Sequence, residues 1–167
     1  MYEKMKETIA SFEETIKSDK LKRLFDNCFY NTLDTTIEYL DDGSVYMLTG
    51  DIPAMWLRDS SASVLQYIEF AKEDEDVFNL VKGLIKRQFF YISIDPYANS
   101  FNRDPNGHGH TQDEGERTPY TWERKFEIDS LCYPIWLIYK LYKVTGRKEI
   151  LDSEFVKTCK IIIDVFK

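Results

Sequence analysis

The 167-residue sequence lacks the features that identify several protein classes. It has no run of about 18 apolar residues, the length that would indicate a membrane-spanning helix. Its N-terminus mixes charged and apolar residues and contains no apolar stretch typical of a secretion signal. Cys28, Cys132 and Cys159 form no CxxC pair. We therefore expect buried, reduced thiols, a cytoplasmic location and no association with a membrane.

Basic residues are outnumbered by acidic ones, 22 to 29, which leaves a net charge of −7. An acidic surface repels a phosphate backbone, so nucleic acid is not an expected partner. Signatures of serine hydrolases, P-loop enzymes and dinucleotide-binding enzymes are missing as well. His108 and His110 lie beside acidic residues in the stretch NGHGHTQDE. Because metal ligands must be held in place, we expect neither a metal nor another cofactor.

The rest of the composition is that of a globular protein, with 43% hydrophobic and 31% charged residues. Apolar spacing predicts helices over about 3–18, from 19 onward, and over 56–70, 77–92, 123–144 and 148–166. Two β-prone runs flank the turn signal Asp41-Asp42-Gly43 and predict a small hairpin. Residues 95–120 are expected to form a long polar loop. Alternating helices with such loops favour an all-α fold, a helical array or toroid.

The segment Gly50 to Ser60, GDIPAMWLRDS, is the first stretch whose side chains suit binding chemistry. Pro53 predicts a sharp turn into a helix, with Arg58 and Asp59 in or near its first turn. In one interpretation Arg58 pairs with a carboxylate and Asp59 caps the helix. In the other, Arg58 donates to sugar hydroxyls and Asp59 accepts from them, while Trp56 stacks on a sugar face.

A second stretch, DPYANSFN, contains Tyr97, Asn99 and Asn102. Asparagine amides both donate and accept hydrogen bonds, so they can read the orientation of hydroxyl groups. Asparagine is also favoured in turns for local reasons. The stretch alone therefore leaves both roles open.

A third stretch, WERKFEIDSLCYP, contains Glu123, Glu127 and Asp129. On a helix, Glu123 and Glu127 would share one face, where two like charges need a cation or a ligand between them. The alternative is a solvated acidic helix start that favours the helix dipole. Asp129 precedes an apolar run, and a carboxylate in apolar surroundings needs a partner.

These three stretches, in this order, closely resemble glycoside hydrolase family 125. The upstream stretch NTLDTTIE resembles the family too, so that the resemblance extends from about Leu24 to the C-terminus. It implies a partial (α/α)6 barrel and an exo-acting, metal-independent α-mannosidase that inverts the anomeric centre and prefers α-1,6-linked mannosides. Inverting hydrolysis needs a general acid and a general base about 6.5–9.5 Å apart.

The resemblance also implies what this chain does not contain. The family's catalytic domain is longer, with its acid in an Asp-rich segment and its base in a Glu-containing segment near the C-terminus. Neither segment is found here, so the catalytic residues are expected beyond Lys167. We therefore expect residues 1–167 to be the N-terminal part of the catalytic domain, truncated and inactive alone.

What carries over from the family is contact with an α-mannoside, by direct binding or by supporting the residues that bind. The expected substrate-binding residues are Trp56, Arg58, Asp59, Asn99, Asn102, Glu123, Glu127 and Asp129. Two other functions are open: a non-catalytic carbohydrate-binding module, and a helical interaction protein. A partial barrel would expose apolar helix faces and could associate with itself through them.

Overall fold

Apolar side chains at helical spacing build most of the structure, a computed structural model that describes residues 1–110 and 115–167. Its α-helices are α1 (Glu3–Glu13), α2 (Asp19–Thr35), α3 (Leu57–Ser63), α4 (Glu75–Ile94), α5 (Ile128–Thr145) and α6 (Ser153–Val165), with 3-10 helices at Leu65–Lys72 and Lys148–Ile150. The all-α expectation is confirmed. The ends differ in detail, since Ser18, not Asp19, caps α2.

The expected hairpin is also present. Strands β1 (Ile37–Tyr39) and β2 (Val45–Met47) pair antiparallel, with Ile37 opposite Met47. Gly43 adopts a φ of 76° in the connecting turn, a conformation that residues with a Cβ rarely adopt.

A second sheet forms where the sequence predicted only loop and helix. It contains β3 (Met55–Trp56), β4 (Ser100–Phe101) and β5 (Thr121–Glu123) in the antiparallel order β3-β4-β5. Each strand has only two or three residues, too few for alternation to be recognised in a sequence. Glu123 consequently ends a strand and α5 begins at Ile128. The prediction that Glu123 and Glu127 share a helix face is therefore wrong.

Helix α4 is the centre of the core. Its side chains are buried around most of its circumference, as expected of a helix covered on several sides. It packs against α5, α6, the hairpin and the 3-10 helix after α3. Gly83 permits the close approach of the hairpin, because an added Cβ would lie 2.7 Å from Val45 Cγ2.

Asp74 joins α1 to the start of α4. Its Oδ1 accepts from the backbone N–H groups of Asp76 and Val77, at 3.0 and 3.3 Å, and thereby caps α4. Its Oδ2 accepts from the backbone N–H of Met5 at 3.0 Å, in the first turn of α1. The carboxylate is only 4% exposed and satisfies donors of two helices at once.

The cysteines contradict the expectation of burial. Cys28 and Cys132 are exposed and Cys159 is half-buried, and all three are free thiols. A cysteine on an amphipathic helix need not face the core, and residue type alone does not decide which face it takes. Within residues 1–110 and 115–167, no helix combines the length and the apolar character needed to cross a bilayer.

Candidate sugar-binding site

The backbone around the start of α3 is held from two directions, by Thr49 upstream of β3 and by Asn99 just before β4. The Trp56 N–H donates to Thr49 Oγ1 at 3.0 Å, and the Leu57 N–H donates to the Asn99 carbonyl at 3.1 Å. The chain thus passes directly from β3 into α3. The sharp turn into a helix that Pro53 predicted is interrupted by this two-residue strand, and the helix begins at Leu57. Arg58 and Asp59 lie in the first turn of α3. Asp59 does not cap the helix, because Trp56 occupies the N-cap position without a side-chain hydrogen bond.

Gln88 of α4 contacts the first turn of α3. The Nε2 of this fully buried side chain, with two hydrogens to donate, lies within hydrogen-bond distance of three acceptors: the Leu57 carbonyl, Ser60 Oγ and Ser61 Oγ, at 3.2, 2.9 and 2.8 Å. Sequence reasoning did not single it out. The available signal was an amide inside the apolar run 77–92, since a buried amide needs partners.

The guanidinium of Arg58 brings three carboxylates together. Its Nη1 donates to Glu127 Oε2 at 3.0 Å and to Asp129 Oδ2 at 3.2 Å, and its Nη2 lies 3.6 Å from Asp59 Oδ2. Arg58 was expected to pair with a carboxylate, and Asp129 was expected to need a partner. The structure pairs these two residues with each other. All four side chains remain between 29% and 49% exposed, so this cluster is open to solvent.

Burial acts to lower the pKa of Arg58, but the hydrogen bond to Asp129 and the negative charges around it outweigh burial and raise it above its ordinary value. Glu127 is itself fixed by the Ser130 hydroxyl, which donates to Oε2 at 3.1 Å. Both acids lie at the start of α5, where the helix dipole favours negative charge.

Asn99 links the sheet to this cluster. It is fully buried, and its amide Nδ2 donates to Glu123 Oε2 at 2.7 Å while its Oδ1 accepts from the Lys125 N–H at 3.3 Å. In the register of the sheet, Trp56, Ser100 and Glu123 stand opposite one another across three strands. Asn99 therefore orders Glu123 and the start of α3 together, which fits a supporting role.

Asn102 lies apart from the Arg58 cluster. It is 1% exposed, and its Nδ2 donates to the His108 carbonyl at 2.8 Å and to the Pro119 carbonyl at 3.4 Å. Its amide N–H groups hold the loop closed through these two carbonyls. The role of Asn102 in sugar binding, by direct contact or by supporting the residues that bind, stays a prediction.

Asp95 is a second residue that sequence reasoning left without a role. It is 4% exposed and accepts from Arg124 Nε at 2.9 Å and from the Tyr97 N–H at 3.1 Å. The guanidinium of Arg124 also lies 5.5 Å from the centre of the Tyr97 ring. These contacts join the end of α4 to the segment after β5, which carries Glu127.

The histidines lie outside the cluster. The ring of His110 packs edge-on against Trp122, and the His108 N–H donates to Asn106 Oδ1. The acids that follow them in the sequence, Asp113 and Glu114, lie outside the described residues. Among the residues that the structure does describe, no group of three or more His, Cys, Asp or Glu is arranged to hold a metal ion.

A cavity of about 780 Å³ lies elsewhere, between α4, the β1–β2 turn and the start of α6. None of the predicted site residues lines it. The Arg58 cluster is open to solvent, and its side chains have the chemistry that sugar binding needs. Its carboxylates can accept from hydroxyls and its guanidinium can donate to them, while the half-buried Trp56 adds an aromatic surface.

Comparison with known proteins agrees with this chemistry. The family model described as metal-independent α-mannosidase (GH125) matches residues 18–167. A Streptococcus pneumoniae protein, described among widely distributed metal-independent α-mannosidases and solved in a non-productive complex with α-1,6-mannobiose, is 43% identical. The two structures superpose with a TM-score of 0.89, and the match covers 96% of this chain and 38% of the S. pneumoniae chain. This likeness confirms the partial (α/α)6 barrel.

A curated relative, the meiotically up-regulated gene 157 protein of Schizosaccharomyces pombe, is 32% identical over 175 residues. The match covers 98% of this chain and 34% of the relative. The chain thus spans between a third and two fifths of the length of the relatives it matches. It belongs to the metal-independent α-mannosidases of glycoside hydrolase family 125.

Proposed function

We propose that residues 1–167 form the N-terminal part of the catalytic domain of an inverting exo-α-mannosidase and supply its mannose-binding surface, with a preference for α-1,6 linkages. The observation that carries the proposal is the cluster in which Arg58 contacts Asp59, Glu127 and Asp129. These groups present donors and acceptors together on an exposed face, which suits the several hydroxyls of a sugar. The α-1,6-mannobiose bound by the S. pneumoniae protein supports the choice of linkage.

We also propose that the chain does not hydrolyse mannosides on its own. In the cluster, the carboxylates of Glu127 and Asp129 accept hydrogen bonds from Arg58. A general acid must instead donate a proton to the leaving oxygen, and an inverting enzyme needs a second carboxylate on the opposite side of the sugar. Family resemblance assigns both catalytic groups to segments beyond Lys167.

The purified chain is expected to bind methyl α-mannoside and to release no mannose from α-1,6-mannobiose. Without one catalytic carboxylate, the rate falls by about 10²- to 10⁴-fold, and without both the product should stay at the level of a protein-free control. Calorimetric or NMR titration measures binding, and chromatography of the released sugar measures hydrolysis. Release of mannose by the chain contradicts its inactivity, and failure to bind the mannoside contradicts the sugar site.

A second candidate function is self-association, favoured by apolar side chains that project from α5 and α6. Those at least 38% exposed include Trp136, Tyr139, Val156, Ile163 and Phe166. Exposed apolar surface on this scale drives association when partners are available. Light scattering is expected to give a mass that rises with concentration, and a constant monomeric mass would remove this candidate.

The cytoplasmic location expected from the sequence stays a prediction.

A further inference from the structure

Two exposed aromatic rings, those of Tyr97 and Phe126, lie in segments that also carry predicted site residues, and neither ring belongs to the hydrophobic core. Tyr97 is 44% exposed and Phe126 is 49% exposed, and their ring centres are 5.8 Å apart at an angle of 53°. Phe126 directly precedes Glu127, whose carboxylate bonds Arg58. Tyr97 lies two residues before Asn99, which holds Glu123. The pair therefore lies in the same two chain segments as Asn99 and Glu127.

The surrounding residues fix this pair in place. The Tyr97 N–H donates to Asp95, and the guanidinium of Arg124, itself bonded to Asp95, lies near the Tyr97 ring. Asp95 is almost completely buried, so it forms a firm base for the exposed ring. An aromatic ring held rigidly at the surface loses little conformational entropy when a ligand covers it.

We propose that Tyr97 and Phe126 form an aromatic ledge that binds a second sugar ring of the mannoside, beside the sugar bound at the Arg58 cluster. The proposal depends on the proposed mannose-binding function. A sugar ring has a polar edge of hydroxyls and a less polar face of C–H groups. The charged cluster suits the edge, whereas the ledge offers only apolar ring surface and the Tyr97 hydroxyl. Binding sites commonly combine aromatic surface with a few placed polar groups in this way.

This arrangement makes a specific distinction between ligands. A monosaccharide can occupy the cluster without touching the ledge, while a disaccharide can reach both. Replacing either ring by alanine should therefore weaken binding of α-1,6-mannobiose by roughly three- to tenfold. Binding of methyl α-mannoside should stay within about twofold of the unchanged chain.

The test compares both ligands by NMR or calorimetric titration against the unchanged chain, Tyr97→Ala and Phe126→Ala. Tyr97→Phe and Phe126→Tyr keep a ring and should keep the affinity for mannobiose. Phe12→Ala is a matched control, because Phe12 is 50% exposed and forms a similar pair with Phe25, at 5.2 Å and 58°, outside the site. It should change neither affinity, and circular dichroism should show that every variant is folded.

Each result decides the matter. Selective loss of mannobiose binding in the two alanine variants supports the ledge. An unchanged affinity for mannobiose overturns the ledge and leaves the mannose site intact. An equal loss for both ligands also overturns the ledge, because the rings then act on the mannose site itself and not on a second sugar. Absence of binding of either sugar to the unchanged chain overturns the proposed function and the ledge with it.

Discussion

Replacing Arg58 with alanine is expected to lower the affinity for methyl α-mannoside by roughly 10- to 100-fold. The guanidinium is the cation that holds Glu127 and Asp129 at one position, with Nη1 contacts of 3.0 and 3.2 Å. Its removal takes away the charged hydrogen-bond donor that we propose contacts the sugar, worth about 1.5–3 kcal/mol. It also leaves neighbouring carboxylates to repel one another and move apart.

Stability should change much less than affinity, because Arg58 is a third exposed and exposed ion pairs contribute little, about 0–1 kcal/mol each. Titration with methyl α-mannoside measures the change in affinity, and thermal melting measures the change in stability.

Two other arginine substitutions make the result specific. Arg58→Lys keeps the positive charge but loses the planar fork, so its affinity should lie between those of the unchanged chain and Arg58→Ala. Arg103→Ala removes an arginine that also contacts two carboxylates, Glu38 and Asp104, but lies outside the cluster. It should bind mannoside normally. If Arg58→Ala also binds normally, the cluster is a structural ion pair and not a sugar site.

The sequence predicted the residues of the Arg58 cluster better than it predicted the elements that carry them. Motif order led to Arg58, Glu127 and Asp129, which the structure brings into contact. The motifs did not show that Glu123 belongs to a strand. Strand β5 has only three residues, and the start of α5 that follows also carries acidic residues, Glu127 and Asp129. Helical spacing extended that helix backward by several residues, and only pairing with β4 reveals the strand.

The supporting residues were harder to predict for a physical reason. Gln88 and Asp95 act through long-range contacts, to α3 and to Arg124, that no local pattern contains. Likewise, Asn99 and Asn102 were identified by type, but their burial decides whether they touch a ligand or hold the protein. Burial of a short polar segment depends on what packs over it, and here that is a sheet formed by residues almost 70 positions apart.

Asp74→Ala, a change outside the site, is expected to destabilise the protein by about 2–4 kcal/mol. Loss of the cap on α4 costs about 0.5–2 kcal/mol. The Met5 N–H, which now donates to Asp74 in a buried position, would in addition lose its partner, at about 1–3 kcal/mol. Because α4 is the centre of the core, both losses should appear in global unfolding.

Urea denaturation measures the effect through the midpoint at an unchanged slope. Ser18→Ala is the matched control, since Ser18 caps α2 at an exposed position through a 3.4 Å bond to the Leu21 N–H and joins no second helix. It should cost no more than about 1 kcal/mol. Asp74→Asn keeps one side-chain oxygen as an acceptor, so its loss of stability should lie between those of Asp74→Ala and Ser18→Ala. A loss for Asp74→Ala no larger than for Ser18→Ala would mean that the carboxylate caps α4 without stabilising α1. Folded Asp74→Ala should bind mannoside normally, because Asp74 contacts no residue of the Arg58 cluster. The stability of the fold and the proposed sugar recognition then depend on different groups of residues.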